Sequence, residues 1–172
     1  MKSIKIIQAP NKILNTNCAK VEHLNQDVKD VINKLQNALN NSKVPGTGIA
    51  ANQIGINMKV CIVRDFYSNE SQNEDEYNDY ILINPSYKKL SNKQTLDWEG
   101  CLSIPDTFGL VKRYKKIKVE ALNENGQKIS ITAKDYLARV MQHEIDHLEG
   151  VLFTSKVLGD TKNEKELDKI YN

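Results

Sequence analysis

The segment Gln142-His-Glu-Ile-Asp-His147 places two imidazoles four residues apart with a carboxylate beside the first. On a helix, such a pair lies about 40° apart around the axis, so His143 and His147 can reach one cation. Glu144 is rotated about 100° from His143 and stands beside that cation without filling a coordination position. Two neutral nitrogen ligands and a carboxylate that handles the proton of a water make the H-E-x-x-H arrangement of metallohydrolases. The chain holds three histidines in all, so this pair takes two of them. Both interrupt the inward stripe of Leu137, Val140, Met141 and Leu148. A carboxylate buried there without a metal would carry a large desolvation penalty, which weighs against a chance pair.

A catalytic site of this kind keeps three protein ligands and one open position. Beyond Gly150 there is no further His or Cys, and only Asp and Glu remain as downstream donors. Upstream stands Glu99-Gly-Cys-Leu-Ser103, where Cys101 follows Gly100 and the backbone can approach a ligand closely. A thiolate beside two imidazoles gives a soft donor set that suits iron(II), zinc, nickel or cobalt. Cys18 and Cys61 read instead as small core hydrophobes, the usual fate of a free cysteine. A third segment, Gly46-Thr-Gly-Ile-Ala-Ala-Asn-Gln53, combines small residues with a terminal amide donor. It lacks the Lys-Ser/Thr of a phosphate loop and taken alone reads as a close-packed turn.

In this order the three segments resemble the peptide deformylase family, whose signatures are G-φ-G-φ-A-A-x-Q, E-G-C-L-S and Q-H-E-x-D-H. The resemblance runs over most of residues 5–155. Thr47 takes the first φ position, Asn15 stands where the family often has Arg, and Asp106 follows Pro105 where it often has Gly. The resemblance implies removal of the formyl group from N-formylmethionyl peptides at the start of nascent chains. It implies one divalent metal ion, iron(II) in the cell and zinc, nickel or cobalt in purified protein, held by Cys101, His143 and His147. Glu144 would be general base and acid, with the Gln53 amide and the Leu102 N–H as oxyanion donors. Gly48 would pair with the peptide backbone, Thr47, Val140 and the His143 ring would wall the methionine pocket, and Gly100 is a further substrate-binding candidate. Around these, Glu99 is expected to orient His147 through its ring N–H, and Asp146 and Arg113 to form a buried pair.

These residues need elements to position them. Apolar residues at helical spacing predict a helix over about 26–41, ended by Pro45 and Gly46. A second helix, about 133–149, carries the histidines, with a capping box from Thr132 to Asp135 and Gly150 at its end. Strands are expected at 59–65 and 80–84, the latter ending at Pro85. Two more, 115–122 and 127–132, are joined by the Asn-Gly turn of Asn123–Gly126. The polar stretch 67–79 reads as a solvated loop and 163–171 as a short terminal helix. The expected fold is α+β: antiparallel or mixed sheets around a central metal-binding helix, with an N-terminal and a short C-terminal helix, in a single domain over 1–172.

At 172 residues a chain can bury about 70% of its surface without disulfides. Balanced charge, +2 from 24 basic and 22 acidic residues, excludes a strong global pull toward nucleic acid or membrane. Three arginines, Arg64, Arg113 and Arg139, supply little bidentate base readout. No run approaches the ~20 apolar residues of a membrane span, and the expected setting is cytoplasmic, as a monomer. Transient attraction to the ribosome through Lys112, Lys115, Lys116 and Lys118 is a further expectation. Two rival readings are a closed structural zinc module, which would need a fourth ligand, and a zinc peptidase cutting internal bonds.

Overall fold

The computed structural model describes residues 4–42, 44–66 and 77–171. Helix α1 (Gln26–Asn40) is followed by strands β1 (Gly48–Ala50), β2 (Val60–Asp65), β3 (Asn78–Lys89), β4 (Gln94–Cys101), β5 (Ile104–Tyr114), β6 (Lys116–Leu122) and β7 (Lys128–Lys134). Helices α2 (Asp135–Leu148) and α3 (Glu164–Tyr171) complete the order. One sheet has five strands in the order β1-β2-β3-β6-β7, and β4 and β5 form a separate two-stranded sheet; all pairings are antiparallel.

The five-stranded sheet lies between α1 and α2. Val60 and Ile62 of β2 pack with Val28, Val31, Ile32, Leu35 and Leu39 of α1. Cys61 and Val63 point the other way and pack with Ala138, Val140, Met141 and Ile145 of α2. Both faces of β2 are therefore buried, which is why its middle reads as an unbroken apolar run. Cys18 and Cys61 are core residues, and burial pushes both thiols up.

Asn25 starts α1, its side chain accepting from the Val28 N–H. The hairpin at Asn123–Gly126 forms as expected: Gly126 has φ +77°, and Asn123 Oδ1 accepts from the N–H groups of Asn125 and Gln127. Gly150 ends α2 at φ +74°, where a Cβ would meet the backbone of Asn15 at 2.7 Å.

Three expectations are corrected. The strand expected at 80–84 runs through Pro85 to Lys89 by way of a register shift between Ile83 and Ser86. Asn84, at φ +52°, bends the chain there and exchanges two hydrogen bonds with the backbone of Val21. The capping box at Thr132 is absent: Lys134 is the N-cap without a side-chain bond, and Asp135 adopts φ +50°. The acidic stretch falls largely on 67–76, outside the described residues. Asp79 is in β3, where both its oxygens accept from Arg64, at 2.8 and 2.9 Å.

Candidate active site

Each of the three segments arrives on a different element. Gly46–Gln53 becomes edge strand β1 followed by a 3-10 turn over Ala51–Ile54. Cys101 ends β4, and Leu102 and Ser103 make the tight turn into β5. His143, Glu144 and His147 lie on α2, whose whole second half is packed against its surroundings.

Cys101 Sγ lies 3.2 Å from His147 Nε2, and the donor atoms of Cys101, His143 and His147 all fall within 4.8 Å of one another. Bonds of about 2.3 Å to sulfur and about 2.0 Å to nitrogen at tetrahedral angles separate donors by about 3.5 Å. The trio therefore fits a single divalent cation. Residue chemistry agrees: one soft thiolate and two borderline imidazoles suit first-row transition metals.

Burial and neighbouring charge shift the two histidines in opposite directions. Burial pulls His143 down, but hydrogen bonds to Cys101 and Glu99 outweigh it and push its pKa up to about 10. Burial and the neighbouring His143 charge hold His147 well below the usual range. Burial pushes Glu144 up to about 7, with the His143 charge opposing. Its Oε2 is buried with no hydrogen-bond partner, a poised carboxylate rather than a structural one.

Gly48 explains its own identity. A Cβ there would lie 2.5 Å from Glu144 Oε1, so the backbone of β1 touches the carboxylate directly. The Gln53 side chain is buried and fixed at both ends. Its Oε1 accepts from the Ala50 N–H at 2.8 Å, and its Nε2 lies 3.2 Å from Ser103 Oγ and 3.5 Å from Cys101 Sγ. The amide donors therefore face the Cys101 sulfur. At Gly100 a Cβ would meet Phe108 Cε1 at 2.8 Å, so the glycine makes room for a ring.

Glu99 does not meet His147, contrary to expectation. Its Oε2 pairs with His143 Nδ1 at 3.0 Å, which leaves Nε2 as the ring nitrogen on the Cys101 side. Both histidines satisfy the spacing, and the position of β4 selects the first. His147 is held instead by its backbone, with Asn52 Nδ2 donating to its carbonyl at 2.5 Å. Arg113 donates to both oxygens of Glu99, at 2.8 and 2.9 Å, and also to Asp146, so the expected buried pair is part of a larger network. Burial alone would raise Glu99, but bonds from Arg113 and His143 hold it well below the carboxylate range.

A groove of about 920 Å³ opens onto these groups. Thr47, Gly48, Gln53, Glu99, Gly100, Cys101, Leu102, Val140, His143 and Glu144 all border it. His147, Arg113 and Asp146 lie behind it. Sequence reasoning gave no role to Ser103, Asn52, Gln142 or Arg139. Gln142 exchanges two hydrogen bonds with the backbone of Tyr114, anchoring the end of β5 to α2. All three arginines are buried in bidentate or multiple pairings. In a chain so rich in lysine, their scarcity was the available signal that each is used for fixed geometry.

Residues 3–163 match the family model described as polypeptide deformylase. A peptide deformylase from Syntrophomonas wolfei is 39% identical over 165 residues, covering 96% of this chain and 99% of the relative. Among solved structures, the Thermotoga maritima peptide deformylase superposes with TM-score 0.81 at 27% identity, over 92% of this chain and all of that one. A Met-Ala-Ser-bound class I type b peptide deformylase from Acinetobacter baumannii gives 0.79 at 30% identity, over 90% of this chain and 98% of that chain.

Proposed function

The chain belongs to the polypeptide deformylase family, and from that premise we propose that it hydrolyses the formyl group from N-terminal formylmethionine of nascent polypeptides, releasing formate. The observation that carries this reading is the convergence of Cys101, His143 and His147 within 4.8 Å, beside a buried, unpaired Glu144 oxygen.

Cys101 Sγ, a ring nitrogen of His143 and Nε2 of His147 would hold a divalent cation, which would supply Lewis acidity near neutral pH. We take iron(II) as the metal in the cell, with zinc, nickel or cobalt able to replace it during purification. Glu144 accepts the proton of the attacking water as its oxygen bonds to the formyl carbon. The amide of Gln53 and the backbone N–H of Leu102 donate to the oxygen that gains charge. As the C–N bond breaks, Glu144 returns a proton to the leaving amine, and formate and a free N-terminus result. Strand β1 is an edge of its sheet, so Gly48 can pair with the peptide backbone as an added strand. The methionine side chain lies against Thr47, Val140 and the His143 ring, with Gly100 at the border. Formyl is the smallest acyl group, and the close approach of Gly48 to Glu144 leaves room for little more.

No helix among the described residues is long and apolar enough to cross a membrane. Three free cysteines and a nascent-chain substrate fit the reducing compartment in which translation runs, and we place the protein in the cytoplasm. Of the four lysines read as a ribosome-facing set, Lys115 pairs with Asp135 and Lys118 with Glu120, leaving Lys112 and Lys116 to carry transient attraction.

The test is formate release from formyl-Met-Ala-Ser by anaerobically purified, metal-analysed protein, with acetyl-Met-Ala-Ser as control. Rapid release from the formyl peptide alone is expected. Metal-loaded protein that leaves it intact, or cleaves the acetyl or internal bonds equally well, sinks the reading.

A further inference from the structure

Arg139 sits on α2 one turn before His143 and is 4% exposed. It borders the groove, yet its donors are committed to the protein. Nη1 donates to Glu99 Oε1 at 2.6 Å and to the Val111 carbonyl at 3.0 Å; Nη2 donates to the Thr95 carbonyl at 2.9 Å. Thr95 and Glu99 belong to β4 and Val111 to β5. One side chain of the imidazole-bearing helix thus grips both strands of the hairpin that carries the thiolate.

That hairpin shares no backbone ladder with the five-stranded sheet. The gap between Cys101 and the two imidazoles is therefore held in part by side-chain ties across the hairpin–helix interface, beside the chain's continuity from Tyr114 into Lys116 and the bond from the Ala9 N–H to the Ser103 carbonyl. Arg113 reaches from β5 to Asp146 on α2, and Gln142 reaches from α2 to Tyr114. Arg139 differs in reaching from α2 to both strands, whereas Arg113 holds Glu99 from within the hairpin. It touches the hairpin at three points, and one of them is the carboxylate whose other oxygen meets His143 Nδ1 at 3.0 Å.

We propose that Arg139 is a positioning residue of the metal centre: it sets the separation between the Cys101 hairpin and α2, and it presses the Glu99 carboxylate against His143, so that the three donors converge before a cation arrives. This rests on the metal reading above. A planar guanidinium suits the task because its donors diverge at fixed angles toward three acceptors. A lysine ammonium in its place reaches Glu99 but cannot span Thr95 and Val111 together.

The experiment uses full-length protein loaded with cobalt(II): wild type, Arg139→Lys, Arg139→Met and Cys101→Ser. The readouts are cobalt loss to excess chelator, the thiolate-to-cobalt absorption and ligand-field bands, and thermal unfolding of each metal-free form. Groups that support metal ligands typically change affinity about 10–100-fold when removed. Arg139→Met is expected to lose cobalt at least about tenfold faster than wild type, with altered ligand-field bands. Arg139→Lys should fall between them, a partial rescue that a role in fold stability alone would not produce in the spectrum. Wild-type loss rates and bands in Arg139→Lys overturn the proposal, and that variant decides alone if Arg139→Met does not fold. A wild type without thiolate-to-cobalt absorption, or indistinguishable from Cys101→Ser, overturns the metal reading instead.

Discussion

The backbone of Gly48 lies directly against the carboxylate of Glu144, so closely that a Cβ on Gly48 would stand 2.5 Å from Oε1. Strand and helix meet where, on the proposed reading, a peptide bound to β1 would reach Glu144. Gly48→Ala must displace either the carboxylate or the strand. The expected result is a fall in kcat of about a hundredfold, or ~2.7 kcal/mol of barrier, with metal content retained. Unchanged turnover would remove the contact from the mechanism.

Glu144→Ala is expected to keep metal and fold and to lose nearly all formate release. The isosteric Glu144→Gln gives a second readout in metal-free protein. Burial raises the folded pKa to about 7 from its ordinary 4.5. The ionised form is therefore disfavoured in the fold, and this destabilisation grows as pH rises from 4.5 toward 7. Glu144→Gln should then unfold at higher urea than wild type at pH 8, by roughly 1–3 kcal/mol, and show almost no difference near pH 4.5. Equal midpoints at pH 8 would contradict a buried charge.

Gln53 is buried, with its Oε1 tied to Ala50 and its amide donors directed toward Ser103 and Cys101. If those donors meet the developing oxyanion, Gln53→Ala lowers kcat by roughly 10²–10³, about 2.7–4 kcal/mol, while KM changes little. Steady-state kinetics on formyl-Met-Ala-Ser at saturating metal decide this. A rise in KM at constant kcat would assign Gln53 to binding instead.

Glu99 links acid sensitivity to the same network. Burial would raise its pKa, but Arg113 and His143 draw it below the ordinary value. Its stabilising contribution is thus complete above about pH 4.5 and is lost as pH falls further. Metal-free wild type should lose stability steeply below pH 4.5, and Glu99→Gln should lack that part of the slope. At neutral pH Glu99→Gln leaves Arg113 and Arg139 short of their counter-charge and is expected to lower stability by about 3–5 kcal/mol. Urea titrations from pH 3 to 7 measure both effects.

Local chemistry made some of this legible in the sequence. The spacing of His143 and His147, the Asn-Gly turn and the stripes of α1 and α2 are each short-range patterns, and the structure keeps them. The β4–β5 hairpin was not legible because its pattern is inverted. Leu96 is 48% exposed, while Glu99 and Arg113 are 6% and 3% exposed. The buried face of this sheet sets an ion network beside Val111, so alternation of hydrophobic residues does not mark it. For the same reason the partner of Glu99 could not be read from spacing, since only the placement of β4 against α2 decides between the two rings. Arg139 gave no signal of its own beyond the rarity of arginine.

The Cys101 sulfur and the imidazoles ride on separate elements, joined by side chains, by the bond from the Ala9 N–H to the Ser103 carbonyl, and by the C-terminal segment that bridges Phe108 to Lys162 and Val111 to Val157. Heating is therefore expected to loosen the hairpin from the helix before the five-stranded sheet melts. Hydrolytic power should vanish at a lower temperature than helix content, and cooling with added metal should bring it back, as a hinged clasp snaps shut again.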